Sequence, residues 1–281
     1  MQYVTLNNGI KMPVLGYGVY QIPPEDTERC VSDALAVGYR SIDTAQAYRN
    51  EDGVGNAVSA SGIARNELFI TTKVWISNYG YENTLRSIDE SLSKLKTDYV
   101  DLFLIHQPFG DVYGAYKALI QAHKDGKIRA VGVSNFLPDR LTDMALFNEL
   151  VPAVNQIEAH AFWQRKWDLQ VAQKLGVQPM SWASFAEGRN DYFTNPVLTE
   201  IGNKYNKTVA QTALRFLIQK GFVVIPKTVN KARMQQNLNV FDFELSAQDV
   251  ATIESLDQNR PLFVAHNTVE AVERFHGFTK R

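Results

Sequence analysis

Hydrophobic and polar positions follow two rhythms along this chain. Short apolar runs at residues 15–19, 40–44, 68–74, 100–106, 130–134, 153–158, 178–184 and 223–227 read as strands. They are near-continuous in apolar character rather than alternating, which predicts strands covered on both faces. Between them, apolar residues recur at helical spacing over 26–37, 51–60, 81–95, 112–125, 138–146, 168–175, 196–203 with 208–220, and 231–237. A hairpin, 2–6 and 10–13, is expected to turn at Asn7-Asn8-Gly9. Ser61-Gly62 closes one helix, Asn195-Pro196 opens another, and Ser246-Ala-Gln-Asp249 starts one near the C-terminus, with an acid in the place of a capping-box glutamate.

Eight strands, each followed by a helix, require long crossovers and therefore parallel pairing. Eight such units in a chain of 281 residues predict an α/β fold, a (β/α)8 TIM barrel with an N-terminal β-hairpin and a C-terminal helix and tail. An open doubly wound sheet is the alternative. No Gly/Pro/Ser-rich linker, low-complexity tract or charge block divides the chain, so one domain over 1–281 is expected.

Gly16-Tyr-Gly18 imitates the opening of a dinucleotide fingerprint, with Asp43 at the end of the next strand. The third glycine is replaced by Gln21, and Ile22-Pro23-Pro24 follows, so no helix can start on a pyrophosphate there. The glycines are expected instead to let the chain turn at the top of the first strand.

Composition narrows the function. A net charge of -1 gives no electrostatic ground for nucleic acid or an anionic membrane as partner. No apolar run approaches the length of a membrane span, and Met1 begins no basic-then-apolar leader. The lone cysteine, Cys30, can form no disulfide within the chain and sits on a helical face as a packing residue; this fits a reducing, cytoplasmic setting. The five histidines, His106, His123, His160, His266 and His276, do not pair at ligand spacing, so no metal site is expected.

Three polar residues end predicted strands: Asp43, Lys73 and His106. Tyr48 follows Asp43 by five residues, in a loop. In a barrel these ends converge on the mouth. Taken singly, each has an ordinary reading: a turn cap, a solvated lysine, a buried histidine. Together they have a chemical logic. A phenol titrates near pH 10, so an ammonium beside Tyr48 should bring that value down. Asp43 would compensate a buried Lys73, and His106 would orient a carbonyl. The set suits proton delivery to a carbonyl oxygen.

These residues resemble the aldo-keto reductase superfamily. Gly38-Tyr-Arg-Ser-Ile-Asp43-Thr-Ala-Gln-Ala-Tyr48-Arg-Asn-Glu51-Asp-Gly-Val-Gly55 is similar to its first signature; Leu104-Ile-His106-Gln-Pro108 and Val131-Gly-Val-Ser134-Asn135-Phe are similar to its second region. Val224-Ile-Pro-Lys227-Thr-Val-Asn-Lys-Ala-Arg233-Met-Gln-Gln-Asn237 is similar to its cofactor signature. The short loops resemble bacterial members of the 2,5-diketo-D-gluconate reductase type. The resemblance implies NADPH (NADP+) as cofactor, hydride delivery to a carbonyl carbon, and Tyr48 as proton donor. By position, Ser134, Asn135 and Gln156 would hold the nicotinamide carboxamide, with Trp182 stacked on the ring where many relatives have tyrosine. Lys227, Thr228 and Arg233 would grip the 2′-phosphate, and Gln236 and Asn237 would face the adenine. Gly18, Val19, Tyr20, Ala183, Phe185, Glu187 and Val229 complete the expected cofactor surface.

Some positions depart from the family pattern. Thr228 keeps the hydroxyl of the commoner serine. Ala183 lacks one, and Ser181-Trp-Ala-Ser-Phe-Ala-Glu-Gly188 replaces Ala-Tyr-Ser-Pro-Leu-Gly, which weakens the placement of Phe185 and Glu187. Gln236 replaces a common glutamate, and Ala161 stands where His-Pro is usual. On the substrate side, Tyr20, Trp75, His106 and Phe109 are expected to wall a pocket for a small carbonyl compound. The short loop 107–111 predicts a pocket open on that side, and the tail from Pro261 is expected over the barrel. A metal enzyme and a nucleotide-binding sensor without turnover are the competing classes; the complete set of four argues against the second. A monomer or weak homodimer is expected.

Overall fold

The computed structural model describes residues 2–279. Met1, where the leader was judged, lies outside the described residues, as do Lys280 and Arg281 at the end of the expected domain. A hairpin of β1 (Tyr3–Thr5) and β2 (Lys11–Pro13) precedes eight parallel strands. These are β3 (Tyr17–Gly18), β4 (Ser41–Asp43), β5 (Phe69–Val74), β6 (Val100–Ile105), β7 (Ile128–Ser134), β8 (Val154–Glu158), β9 (Gln178–Trp182) and β10 (Val223–Val224), paired in sequence order. A parallel bridge from Leu15 to Val224 joins the first strand to the last and closes the barrel. Gly16 N–H donates to Val224 O at 2.8 Å and Val224 N–H to Val14 O at 2.9 Å across this seam.

Gly16 and Gly18 owe their identity to that closure, not to a turn. A Cβ on Gly16 would lie 2.8 Å from Ser41 Oγ, and one on Gly18 would lie 2.8 Å from the Ile225 carbonyl. Strand-to-strand approach, rather than a left-handed backbone, excludes a side chain at both positions.

The helices are α1 (Pro24–Val37), α2 (Glu51–Ala60), α3 (Tyr81–Leu95), α4 (Val112–Lys124), α5 (Pro138–Leu146), α6 (Lys166–Leu175), α7 (Pro196–Lys204), α8 (Val209–Gln219), α9 (Lys231–Leu238), α10 (Ala247–Glu254) and α11 (Val269–His276). α1 shows how local sequence sets them. Proline stands at its first position, Gly38 ends it at φ 115°, and Thr27, Cys30, Val31, Ala34 and Leu35 form its buried face. Asn195 caps α7 through Leu198 N–H at 3.1 Å. Ser246 caps α10 through Asp249 N–H at 3.1 Å, but its own N–H goes to the Tyr205 hydroxyl at 2.9 Å, so the expected reciprocal bond is not made.

Predicted strand ends run more than one residue too far in two places. The run 178–184 stops at Trp182 because Ala183 turns left-handed, at φ 53°. The run 223–227 stops at Val224 because Pro226 has no N–H to extend the ladder. α11 carries no counterpart among the predicted helices.

Side chains alternate in and out of the barrel. Phe69, Leu102, Leu104, Ala130, Val154, Met180 and Val223 form an interior cluster, plugged by Leu6 and Met12 of the hairpin. The same inward parity, carried to the mouth, turns His106, Ser134, Gln156 and Trp182 toward the axis. No helix among the described residues is long and apolar enough to cross a membrane.

α2 and α3 approach closely at Gly55, where a Cβ would lie 2.2 Å from the Lys94 carbonyl oxygen. Gly55→Ala should therefore destabilise the fold by about 2 kcal/mol or more, the usual scale of overpacking against a backbone that cannot move away. A urea midpoint equal to wild type would show that the two helices separate freely.

Candidate active site

Lys73 is the last inward residue of β5 and Asp43 of β4, so neighbouring parallel strands deliver them side by side. Lys73 is fully buried and Asp43 is 2% exposed. All three ammonium donors are used: Nζ donates to Asp43 Oδ1 at 2.6 Å, to the Thr44 carbonyl at 2.8 Å and to the Tyr48 hydroxyl at 3.3 Å. Asp43 Oδ2 accepts from Gln156 Nε2 at 2.7 Å. Burial pushes the Asp43 carboxyl up and the Lys73 ammonium down, and each partner opposes the other's shift.

Tyr48 sits on a short 3₁₀ turn, Gln46–Tyr48, after β4. Burial, followed by the Asp43 charge and then Tyr20, holds its hydroxyl well above the usual phenol range. The expectation that Lys73 lowers it does not hold. Asp43 cancels the lysine's charge at 2.6 Å, so little net positive field reaches the phenol. The consequence is a hydroxyl that keeps its proton near neutrality, the state a general acid requires.

His106 follows β6, 8% exposed, with its ring edge-on to Tyr48 at 5.7 Å and to Trp75 at 5.0 Å. Burial first, then the charges of Lys73 and His266, hold it well below the usual imidazole range. It is a neutral ring near pH 7, and its Nδ1 is buried without a partner among the described residues.

Ser134, Asn135, Gln156 and Trp182 join this cluster as a connected floor. Ser134 Oγ donates to the Gln156 carbonyl at 2.8 Å. Asn135, held left-handed at φ 66°, donates from Nδ2 to the His106 carbonyl at 3.0 Å and to Ser134 Oγ at 3.2 Å. Trp182 Nε1 donates to Asn135 Oδ1 at 2.9 Å, a bond that a tyrosine ring carbon at that position could not make. Val19 N–H donates to the Asp43 carbonyl at 3.0 Å, and the exposed Tyr20 ring lies 4.9 Å from Tyr48.

The remaining expected cofactor residues form a separate group. Thr228 follows β10, its carbonyl accepting from Tyr17 Oη at 2.6 Å and its Oγ1 from Asn230 N–H at 3.2 Å. Lys227 and Arg233 are exposed and make no ion pair among the described residues, whereas neighbouring Lys231 is bound to Asp33 at 3.0 Å. Val229 and Gln236 are exposed and Asn237 is buried. Two uncommitted cations and a hydroxyl beside a capped helix start suit a phosphate dianion. Phe185 packs on Phe193 at 5.5 Å, and Glu187 is exposed at φ 50°.

The tail supplies what the sequence did not assign. Phe263 meets Trp182 edge-to-face at 5.5 Å. His266 Nε2 and Gln107 Oε1 are 3.1 Å apart, and the His266 ring forms a triangle with Phe109 at 6.0 Å and Phe275 at 5.9 Å, the two phenyl rings lying 5.5 Å from each other. Phe275 and Phe278 also reach Trp75, at 6.3 and 5.6 Å. The side beside loop 107–111, expected to be open, is therefore closed by α11. Phe109 is a member of that wall, and a groove of about 710 Å³ beyond it is lined by Phe109, Trp167, His266 and Val272 but by none of the four mouth residues. The tail helix did carry a signal: Thr268 caps it through Ala271 N–H at 3.2 Å.

Burial, with Arg165 next in size, pushes His266 down from 6.5 to about 4. The unfolded chain binds this proton more readily, so the contribution of His266 to stability is complete above pH 6.5 and is lost as pH falls towards 4. His266→Asn is expected to show a shallower fall in unfolding free energy across that window, read by urea denaturation. A slope equal to wild type would contradict the assignment.

Comparison with known proteins identifies the family. Residues 14–258 match the Aldo/keto reductase family. An aldo-keto reductase of Mycolicibacterium smegmatis is 44% identical over 262 residues, covering 92% of this chain and 94% of the relative. The glyoxal reductase of Bacillus subtilis is 43% identical over 258 residues, covering 91% and 93%. The crystal structure of a Bombyx mori aldo-keto reductase in complex with NADP superimposes with a TM-score of 0.88 at 31% identity, covering 97% of this chain and 96% of that one.

Proposed function

Because this chain belongs to the aldo/keto reductase family, we propose that it is an NADPH-dependent reductase that converts aldehydes or ketones to alcohols, with Tyr48 as proton donor. The observation that carries the reading is the Lys73 ammonium, buried and shared among Asp43, the Thr44 carbonyl and the Tyr48 hydroxyl. NADPH would supply a hydride to the carbonyl carbon. The protein's part is to bind the carbonyl oxygen, orient it and protonate it.

Tyr48 is protonated at rest and faces the mouth beside a neutral His106, so the two offer the carbonyl oxygen one acidic hydroxyl and one imidazole edge. As negative charge grows on that oxygen, Tyr48 releases its proton. Lys73 then donates its 3.3 Å bond to a phenolate instead of a phenol, a charge-assisted bond that strengthens as the proton leaves. Asp43 and Gln156 hold Lys73 in place for this step.

The cofactor would lie between two groups. Ser134, Asn135 and Gln156, with Trp182 above them, would meet the nicotinamide end. Lys227, Thr228 and Arg233 would meet the 2′-phosphate, and Gln236 and Asn237 the adenine. Aromatic walls from Tyr20, Trp75 and Phe263 favour a compact carbonyl compound, and the similarity to a glyoxal reductase supports dicarbonyls and simple aldehydes as the substrate class. We read the chain as one domain acting in the cytoplasm as a monomer or weak homodimer, without nucleic acid or membrane as partner. The reading is supported by the closed barrel and by the single, buried Cys30.

A panel of aldehydes and keto compounds, offered with NADPH and with NADH, tests the assignment through loss of nicotinamide absorbance. Tyr48→Phe should lower kcat/KM by about a thousand-fold, within the usual worth of a positioned general acid, while NADPH affinity stays close to wild type. Turnover near wild type would remove Tyr48 from the role. Arg233→Ala should weaken NADPH far more than NADH; equal losses on the two cofactors would show that Arg233 does not read the 2′-phosphate.

A further inference from the structure

One buried acid at the mouth is left unused by the chemistry above. Glu158 ends β8 two residues beyond Gln156, on the same inward face, and pairs in register with Trp182. It is 2% exposed. Its Oε1 accepts from His160 Nε2 at 3.1 Å and from the Leu262 backbone N–H at 2.7 Å. His160 is itself fully buried and lies edge-to-face with Phe162 at 6.2 Å. One oxygen of the carboxylate thus joins a buried imidazole to the backbone of the tail.

Leu262 is held from both sides. Its carbonyl accepts from Arg189 at 2.7 Å, and the Arg189 guanidinium lies 4.1 Å from the ring of Phe263. Fixing Leu262 therefore fixes where Phe263 meets Trp182. Further along, the tail makes a neutral bond at His266 and ring contacts to Phe109 and Trp75. A bond with an ionised partner is about twice as strong as a neutral one, so Leu262, held by the Glu158 carboxylate and the Arg189 guanidinium, is the strongest catch on this side, and Glu158 is its buried half.

We propose that Glu158, backed by His160, is a positioning residue. It anchors the C-terminal tail across the mouth through Leu262 N–H, and by setting Phe263 against Trp182 it fixes the wall that the carbonyl substrate meets. The kinetic half rests on the reductase reading; the anchoring half does not.

Three variants separate this role from simple packing. Leu262→Pro removes the donated N–H and leaves the Glu158–His160 pair untouched. Glu158→Ala removes the acceptor, and Glu158→Gln keeps an acceptor oxygen. Two quantities are read: the rate of chymotryptic cleavage after Phe263, followed by fragment mass, and kcat and KM for benzaldehyde with NADPH. Loss of one charge-assisted hydrogen bond should make cleavage about ten-fold faster in Leu262→Pro and Glu158→Ala. KM should rise by a similar factor while kcat stays within about two-fold, since binding and not the chemical step is altered. Glu158→Gln should return both readouts most of the way to wild type. Wild-type protection of the tail in Leu262→Pro overturns the anchor, whatever Glu158→Ala does. Faster cleavage with an unchanged KM overturns the coupling to the site. If wild-type protein turned over no carbonyl, the reductase reading would fail, and the cleavage rates alone would decide the anchor.

Discussion

The structure turns on one buried ion pair. Lys73 is fully enclosed, and an ammonium taken out of water is tolerated only when its charge and its donors are met. Asp43, the Thr44 carbonyl and the Tyr48 hydroxyl meet them, and Gln156 ties the free oxygen of Asp43 to β8. The third bond is directed at a phenol that faces the mouth, and there the pair's cost becomes chemistry.

The barrel makes that arrangement possible. Inward positions on β4 and β5 fall side by side because parallel strands in a closed sheet keep their parity around the ring. Glycines at 16 and 18 let the first strand come close to the last, so closure itself depends on two absent side chains. The resulting site is divided. One end is largely buried and cross-linked, from Lys73 through Asp43, Gln156, Ser134 and Asn135 to Trp182. The other, at Lys227 and Arg233, is exposed and cationic. The tail meets the first end at Trp182, and Lys227 and Arg233 of the second are exposed.

Much of this was legible from residues alone. Apolar runs that end in Asp43, Lys73 and His106 mark strand ends at a mouth, and Tyr48 follows in a motif long enough to be specific. What escaped depends on distance in space. The direction of the Tyr48 shift follows first from burial and then from the Asp43 charge, which also cancels Lys73 at 2.6 Å, and no spacing encodes either. The strands at Trp182 and Val224 stop where Ala183 and Pro226 leave the ladder, a backbone event and not a change of hydropathy. Thr268 and the apolar positions after it announce a helix, but nothing in the sequence says that Phe275 will land between Trp75 and His266.

If the Lys73–Asp43 pair exists for Tyr48 rather than for the fold, stability and activity should come apart when it is replaced. Lys73→Met alone strands a buried carboxylate and should cost about 3–5 kcal/mol of stability. The decisive measurement is the single-turnover rate of carbonyl reduction in the Lys73→Met, Asp43→Asn double variant. The account predicts a fold recovered close to wild-type stability and a rate at least about a hundred-fold down, because Tyr48 has lost the cation that receives its charge. A double variant that reduces carbonyls at the wild-type rate would contradict it.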